Sequence, residues 1–531
     1  MHKKRLIAAA AVTALAVAGC SGGGDDSGDG AVDGGTVKLG LGEPAGLVPP
    51  DVTESEGGTI VDLVYTGLMA YGQDSSPTNV IAESVEPNES LDVWTIKLKD
   101  GFKFENDEPV DAESFVRSWN WGAYGPNAAT GSYFYDRIVG FDDVADPKEP
   151  KAETMSGLKV VDDLTFTVEL KQPWIGFGQV LGYSAFKPMA QACVDDTEAC
   201  NEHPIGNGPF KFDGDWRHEE GITLVRNEDY AGEKPSLEKV EFTIYMGEDT
   251  CWADFQAGDQ DICSPPVEEW EAARTDPELS ERLIQQDGTS FSYLGFPVFN
   301  DLYKDPKVRQ AFNLAINREE VINVALPGRA KPATGFTPKT IPGGTEDTCN
   351  YCTFDPEKAK QLLKESDWPE GEKIEIWYNS DPTNKAIYEA VGNQIKENLG
   401  IDFELREQEW AQFLEILDAN EQTGPFRLGW IPDYPLNENY LKPIYGNGPD
   451  NNFGYLNEEF EAKLAEADVA PDIETAKKLY RDAELILGED MPIVPLSFNI
   501  TSTFYSENLV PDSVKVYPVG GLQIQLLQVQ A

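Results

Sequence analysis

The chain has 531 residues, 40% of them hydrophobic, and sets 42 lysines and arginines against 93 aspartates and glutamates, a formal charge of -51. Such a surface repels phosphate backbones and anionic headgroups, so DNA, RNA and acidic lipid surfaces are excluded as partners and a heavily hydrated, soluble exterior is expected. The chain is also too long for one hydrophobic core, which predicts two or three lobes.

The amino terminus reads as an export signal. Lys3, Lys4 and Arg5 form a positive flank, an apolar run extends from Leu6 to Gly19, and LAVAGC ends it at Cys20. The run is too short for a permanent membrane span. The pattern is that of a bacterial lipoprotein, in which residues 1–19 are removed, the Cys20 thiol is lipidated, and the protein is held on the outer face of the cytoplasmic membrane. Residues 20–35 are polar and glycine-rich, bury too little apolar surface to offset chain entropy, and read as a disordered tether, with the folded body starting near Thr36.

There are seven cysteines. With Cys20 assigned to lipid, the others fall as close pairs: Cys193 with Cys200, Cys251 with Cys263, and Cys349 with Cys352. In an exported chain, local disulfides are the simplest account, because short separations make encounter easy. The CNYC pair also fits a redox motif or half a zinc site, but zinc needs two further ligands and the histidines are only His2, in the signal, His203 and His218.

In chain order, TVKLGL predicts a strand and Gly58 to Leu68 an amphipathic helix with Ile60, Val61, Leu63, Val64 and Leu68 as its apolar stripe. In VWTIKL, Trp94, Ile96 and Leu98 alternate with Val93, Thr95 and Lys97, a strand pattern; a helix follows, capped by Asp111, with Phe115, Val116 and Trp119 on one face. Pro306 opens a helix whose core face is Val308, Ala311, Phe312, Ala315 and Ile316. KIEIWYNSD, Asn384 to Leu399 and IDFELREQE read as a βαβ unit, and Glu458 to Ala467 and Ile473 to Leu487 as two charged amphipathic helices.

The stretch Phe426 to Tyr434, FRLGWIPDY, concentrates binding chemistry. Trp430 and Tyr434 offer flat apolar faces, Gly429 allows close approach of a ligand backbone, and Asp433 places one negative charge in apolar surroundings, where a cation is a natural partner. The same nine residues also read as an ordinary strand and turn whose aspartate caps a helix. Enzyme signals are absent: there is no GxSxG elbow, Walker loop, HExxH or EF-hand loop, and an exported hydrolase is the remote alternative. No catalytic residue, cofactor or metal is predicted.

The order of a helix ending in GLM, an AES motif, LKDGFKFENDEPV and DAESFVRSW resembles the oligopeptide-binding proteins of ABC importers, bacterial solute-binding protein family 5. GLKVVDDLTFTVEL, IGNGPFKF, YKDPKVRQAFNLAINREEVIN and AELILGEDMPIVPLSF continue the resemblance in the same order, from about Thr36 to the end. It implies a type II periplasmic-binding-protein-like α/β fold, in which two α/β lobes close over a cleft and a third lobe is inserted. Lobe I would comprise 36–68, 188–291 and 501–531, lobe II 69–187 and lobe III 292–500, with hinges near Lys187 to Gln191 or near Ser290 to Gly295 and Ile500.

The resemblance also implies ligand-binding roles. Asp433 stands where the family pairs an aspartate with the peptide's α-amino group. Gly429 and Ile431 match positions whose backbone bonds the peptide main chain, Arg427 matches a basic site residue, and Ser55, in the loop before the first helix, aligns with another main-chain contact. The family's tyrosine after the inserted lobe's first helix is shifted by an extra residue near Gly125, which makes Tyr133 the candidate; Pro432 replaces a common alanine, and no residue matches the groups that meet the peptide carboxylate. The implied function is capture of peptides and delivery to a membrane ABC permease by a monomer. A surface peptide sensor, or a binder of a metal chelate or sugar, are the alternatives.

Overall fold

Alternation in VWTIKL becomes one face of a sheet: Trp94, Ile96 and Leu98 are buried while Lys97 is exposed. The computed structural model describes residues 31–448 and 451–531. The export signal and Cys20 lie outside them. Val93–Leu98 is an inner strand of a four-stranded antiparallel sheet, ordered Ala82–Pro87, Val93–Leu98, Thr165–Glu169, Leu158–Asp162. Helix Ala112–Ala123 packs on it through Phe115 and Trp119, whose ring centroids lie 5.9 and 5.5 Å from Phe166. Asp111 caps this helix as expected, in a reciprocal capping box with Ser114.

The rest of the chain is built on an 11-stranded mixed sheet. At one end lie Thr36–Leu41, Lys239–Ile244, Gly221–Arg226 and Phe210–Phe212; at the other lie Phe403–Gln408, Ile374–Asn379 and Phe426–Trp430. Two 13-residue strands, Leu283–Gly295 and Ile493–Tyr505, run between the ends and pair with each other antiparallel, with register shifts between Asp287 and Phe291 and between Ser292 and Tyr293. The predicted βαβ unit is present: Ile374–Asn379, helix Pro382–Leu399, and Phe403–Gln408 in parallel register. Three large cores follow. One lies under the 36–41 end, one under the βαβ end, and the third joins the four-stranded sheet to residues 333–493.

Three local expectations are corrected. The first helix spans Ser55–Val64, because the Glu54 carboxylate accepts the Gly57 N–H at 2.8 Å and starts it early, while Lys187 Nζ donates to the Val61 and Tyr65 carbonyls at 3.2 and 2.9 Å and closes its end. Ser55 is therefore a first-turn residue and not part of a preceding loop. The folded body reaches further toward the amino terminus than Thr36, since Ala31–Val32 pair with Val529–Gln530 and the Gly34 N–H donates to Ser236 O at 2.8 Å.

The structure brings the three expected cysteine pairs to bonding distance, with Cα separations of 5.1 Å for Cys193 and Cys200, 6.1 Å for Cys251 and Cys263, and 5.5 Å for Cys349 and Cys352. Among the described residues, no group of three or more His, Cys, Asp or Glu side chains is placed to hold a metal ion.

Candidate functional site

Strand Phe426–Trp430 lies against Leu283–Gly295 through five paired positions, from Phe426 opposite Gly295 to Trp430 opposite Phe291. On its other edge it meets Ile374–Asn379 only at Phe426 opposite Trp377. Beyond Phe426, among the described residues, no strand ladders onto that edge, which leaves the main chain of Arg427 to Trp430 at an open sheet edge. Gly429 is required by the sheet: a Cβ there would stand 2.8 Å from the Phe291 carbonyl oxygen.

After Trp430 the chain turns through Ile431 and Pro432 and presents Asp433. Asp433 caps no helix; the helix that follows, Glu438–Tyr445, starts from Asn437. Its geometry is set by Asn439, in the first turn of that helix and 2% exposed. The Asn439 Oδ1 accepts the Trp430 indole N–H at 3.1 Å and the Asp433 backbone N–H at 2.9 Å, while its amide donates to Asp433 Oδ2 at 3.4 Å. Across the gap from the four-stranded sheet's segment, Tyr133 donates its hydroxyl to Asp433 Oδ1 at 3.2 Å. Two predicted site residues separated by 300 positions thus meet.

A cleft of about 960 Å³ opens beside this group, and Arg427, Gly429, Trp430, Ile431 and Asp433 all line it. Ile431 is 71% exposed, an apolar side chain offered to the cleft. The Arg427 guanidinium lies 5.7 Å from the Trp410 ring centroid, and its Nε is buried without a hydrogen-bond partner. The Tyr183 phenol is pushed above its ordinary pKa by burial first, then by the charges of Asp433, Asp62 and Glu54. Tyr440, fully buried, is raised by burial first, with a further contribution from Asp433.

Two predicted residues fall elsewhere. Tyr434 does not line the cleft: it is 7% exposed, donates its hydroxyl to Glu438 Oε2 at 2.5 Å and meets Trp174 edge-on at 6.0 Å. The side chain following Asp433 points into the core because its apolar ring finds Trp174 there, so Trp430 alone forms the expected wall. Ser55 is exposed on the first helix and outside the lining of this cleft.

The residue that sequence reasoning missed is Asn439. An asparagine at a helix start ordinarily signals a local cap, and nothing local marks one that reaches back to Trp430 and Asp433. Behind Tyr434, Arg137 Nη2 donates to the fully buried Glu438 at 2.9 Å and stacks 3.7 Å over Trp174, tying the inserted sheet's segment to this helix.

Comparison with known proteins bears on the same region. Residues 76–452 match the model of "Bacterial extracellular solute-binding proteins, family 5 Middle". The chain is 27% identical over 504 residues to the oligopeptide-binding protein OppA of Bacillus subtilis, covering 90% of each chain. It is also 27% identical over 463 residues to the heme-binding protein A of Haemophilus influenzae, covering 82% of each. Among solved structures, Haemophilus influenzae OppA in complex with the peptide RPPGFSPFR superposes with a TM-score of 0.73 at 23% identity, covering 94% of this chain and 100% of that one. The fold is that of the periplasmic-binding-protein-like solute-binding proteins, mixed α/β with a large sheet.

Proposed function

Because the chain belongs to the bacterial extracellular solute-binding proteins of family 5, we propose that it captures peptides outside the cytoplasmic membrane and hands them to an ABC permease, without covalent chemistry. Asp433 receives the α-amino group. The main chain of Gly429 and Ile431, on or just past the open strand edge, bonds the peptide backbone, and such bonding gives affinity that ignores side chains. Trp430 and Ile431 supply the apolar wall, Arg427 a positive charge, Tyr133 a cover from the inserted lobe, and Ser55 a further contact when the lobes close. Lobe I is 36–68, 188–291 and 501–531, lobe II 69–187 and lobe III 292–500, with the long strands Leu283–Gly295 and Ile493–Tyr505 as the connection that flexes.

The observation that carries this reading is the Asp433 carboxylate, oriented by Asn439 and Tyr133 at the wall of a cleft of about 960 Å³. A carboxylate in a closing cleft loses the screening of water and gains from an ammonium partner. Calorimetric titration of the native protein and Asp433→Asn with one peptide, free and N-acetylated, tests it. Loss of about 2 to 5 kcal/mol for the free peptide is expected, the range for breaking a buried charged pair; the acetylated form should bind the native protein weakly and hardly distinguish the two proteins. Equal binding of the free peptide to both removes Asp433 from the site. A second reading, a non-peptide solute, is favoured by the similarity to a heme-binding protein, and binding of no peptide at all would select it.

A further inference from the structure

Peptide capture leaves the CNYC motif, Cys349 to Cys352, without a role. The three cysteine pairs differ in access. Cys193 and Cys200 are 0% and 3% exposed, and Cys251 and Cys263 are 9% and 4% exposed, so both of these pairs are sealed in cores. Cys349 and Cys352 are half-buried instead, at a turn on the rim of a core, with the exposed Asn350 and the half-buried Tyr351 between them. Thiol exchange begins when a thiolate reaches a sulfur of the bond, so of the three only this pair is open to it in the folded protein.

We propose that Cys349 and Cys352 form a thiol-exchange site, opened and re-closed by thiol donors outside the cytoplasm while the other two pairs stay shut, with the fold intact in both states. The turn is held by contacts that do not need the bond. Ahead of it, the buried Thr348 donates its hydroxyl to Glu484 Oε1 at 2.6 Å, and the Cys349 N–H donates to Thr334 O at 3.2 Å. Between the cysteines, the Asn350 N–H donates to Gly488 O at 3.3 Å, its side-chain amide to Glu489 Oε2 at 3.1 Å, and the Tyr351 hydroxyl to Glu489 Oε1 at 3.1 Å. Behind it, the Cys352 carbonyl accepts from the buried Arg318 guanidinium at 2.9 Å. Helix Ile473–Asp490 thus grips the turn through Glu484, Gly488 and Glu489.

The bond itself closes the shortest of the three loops, a separation of 3 residues against 7 and 12, so it restrains the unfolded chain least and its opening takes least from the folded state. Cys349 is the inner sulfur, 3.9 Å from the Sδ of the fully buried Met491. The step is an exchange in which a donor thiolate bonds to Cys352 Sγ as the bond to Cys349 breaks. The Cys349 sulfur leaves as a thiolate and takes a proton from water. A second donor thiolate then displaces Cys352, so two electrons and, net, two protons pass to the pair and the donor leaves as a disulfide.

The test is reduction of the folded full-length protein by dithiothreitol as the reference, by glutathione and by reduced thioredoxin. Thiols already free are blocked beforehand, new ones are alkylated and mapped by mass spectrometry, and circular dichroism with thermal unfolding reads the fold. Cys349 and Cys352 are expected to be labelled together, about tenfold or more faster than Cys193, Cys200, Cys251 and Cys263, with helix content unchanged, and glutathione disulfide should restore the bond. The double variant Cys349→Ser with Cys352→Ser should fold and show no labelling in the same interval. Reduction by glutathione supports a small-molecule donor, and reduction by thioredoxin alone a protein one. Labelling of all six cysteines at one rate, or of Cys349 and Cys352 only after denaturant has unfolded the chain, overturns the assignment.

Discussion

Asp433 is one of 93 acidic residues, and what distinguishes it is the amide of Asn439. One buried carbonyl oxygen accepts both the Trp430 indole and the Asp433 backbone N–H, so the Trp430 ring and the Asp433 turn are fixed in a single frame. Replacing Asn439 with alanine leaves two half-buried donors without their acceptor, at about 0.5 to 1.5 kcal/mol for each hydrogen bond lost. The variant is expected to unfold at lower denaturant and to lose affinity for amine-bearing peptides more than for acetylated ones. Denaturant unfolding and calorimetry read the two effects separately, and equal loss for both peptide forms would make Asn439 a folding residue only. FRLGWIPDY stood out in the sequence by its residue types, and five of its nine residues line the cleft. Which way each side chain points was not: Tyr434, adjacent to Asp433, turns into the core against Trp174, because the direction of a side chain past a turn depends on what packs behind it.

Helix Ile473–Asp490 follows the predicted amphipathic pattern, yet it carries an acid on its buried face. Glu484 is 0% exposed; its Oε1 accepts the N–H groups of Phe336 and Thr337 at 2.8 and 3.1 Å and the Thr348 hydroxyl at 2.6 Å, and its Oε2 has no partner. Burial pushes its pKa from 4.5 up to about 7, against the lowering effect of the hydrogen bonds it accepts. The folded state therefore holds this proton more tightly than the unfolded chain. The associated stability is fully present below pH 4.5 and is lost as pH rises to about 7, by about 3 kcal/mol over the whole window. Glu484→Gln, which stays neutral, is expected to flatten that part of the stability profile. Urea unfolding of both proteins across this range tests it, and parallel profiles would place the proton elsewhere. The same dependence on distant partners explains the first helix, whose C-terminal carbonyls are capped by Lys187, more than a hundred positions away in sequence; such a cap leaves no local signal.

The connection between the two ends of the 11-stranded sheet rests on the strands Leu283–Gly295 and Ile493–Tyr505, and Cys263 is paired with Phe504 of the second of them; each cysteine pair closes a short loop. Three disulfides are expected in the exported protein. Thiol titration of the denatured, unreduced protein without its signal and Cys20 should find essentially no free thiol, and six reactive groups would remove the disulfides. Loss of any one pair should cost roughly 2 kcal/mol or more. Cellular position belongs to the whole molecule as well. Cys20→Ser is expected to release the protein from the membrane, and persistence of the variant on salt-washed membranes would reject the lipid anchor.

Acidity, the family resemblance, the strand alternation of VWTIKL and the βαβ unit of residues 374–408 could all be read from the chain, because each depends on residue type, spacing or order along it. Apolar periodicity in particular is local information, and Val308, Ala311, Phe312, Ala315 and Ile316 are buried as their spacing implied. The meeting of Tyr133 with Asp433, the clamp of Asn439, the inward turn of Tyr434 and the pairing of Ala31–Val32 with the C-terminal strand were decided by folding. Each is a contact between segments far apart in the chain, and a hydrogen bond or ring contact depends on distances of a few ångströms that spacing along one dimension does not encode.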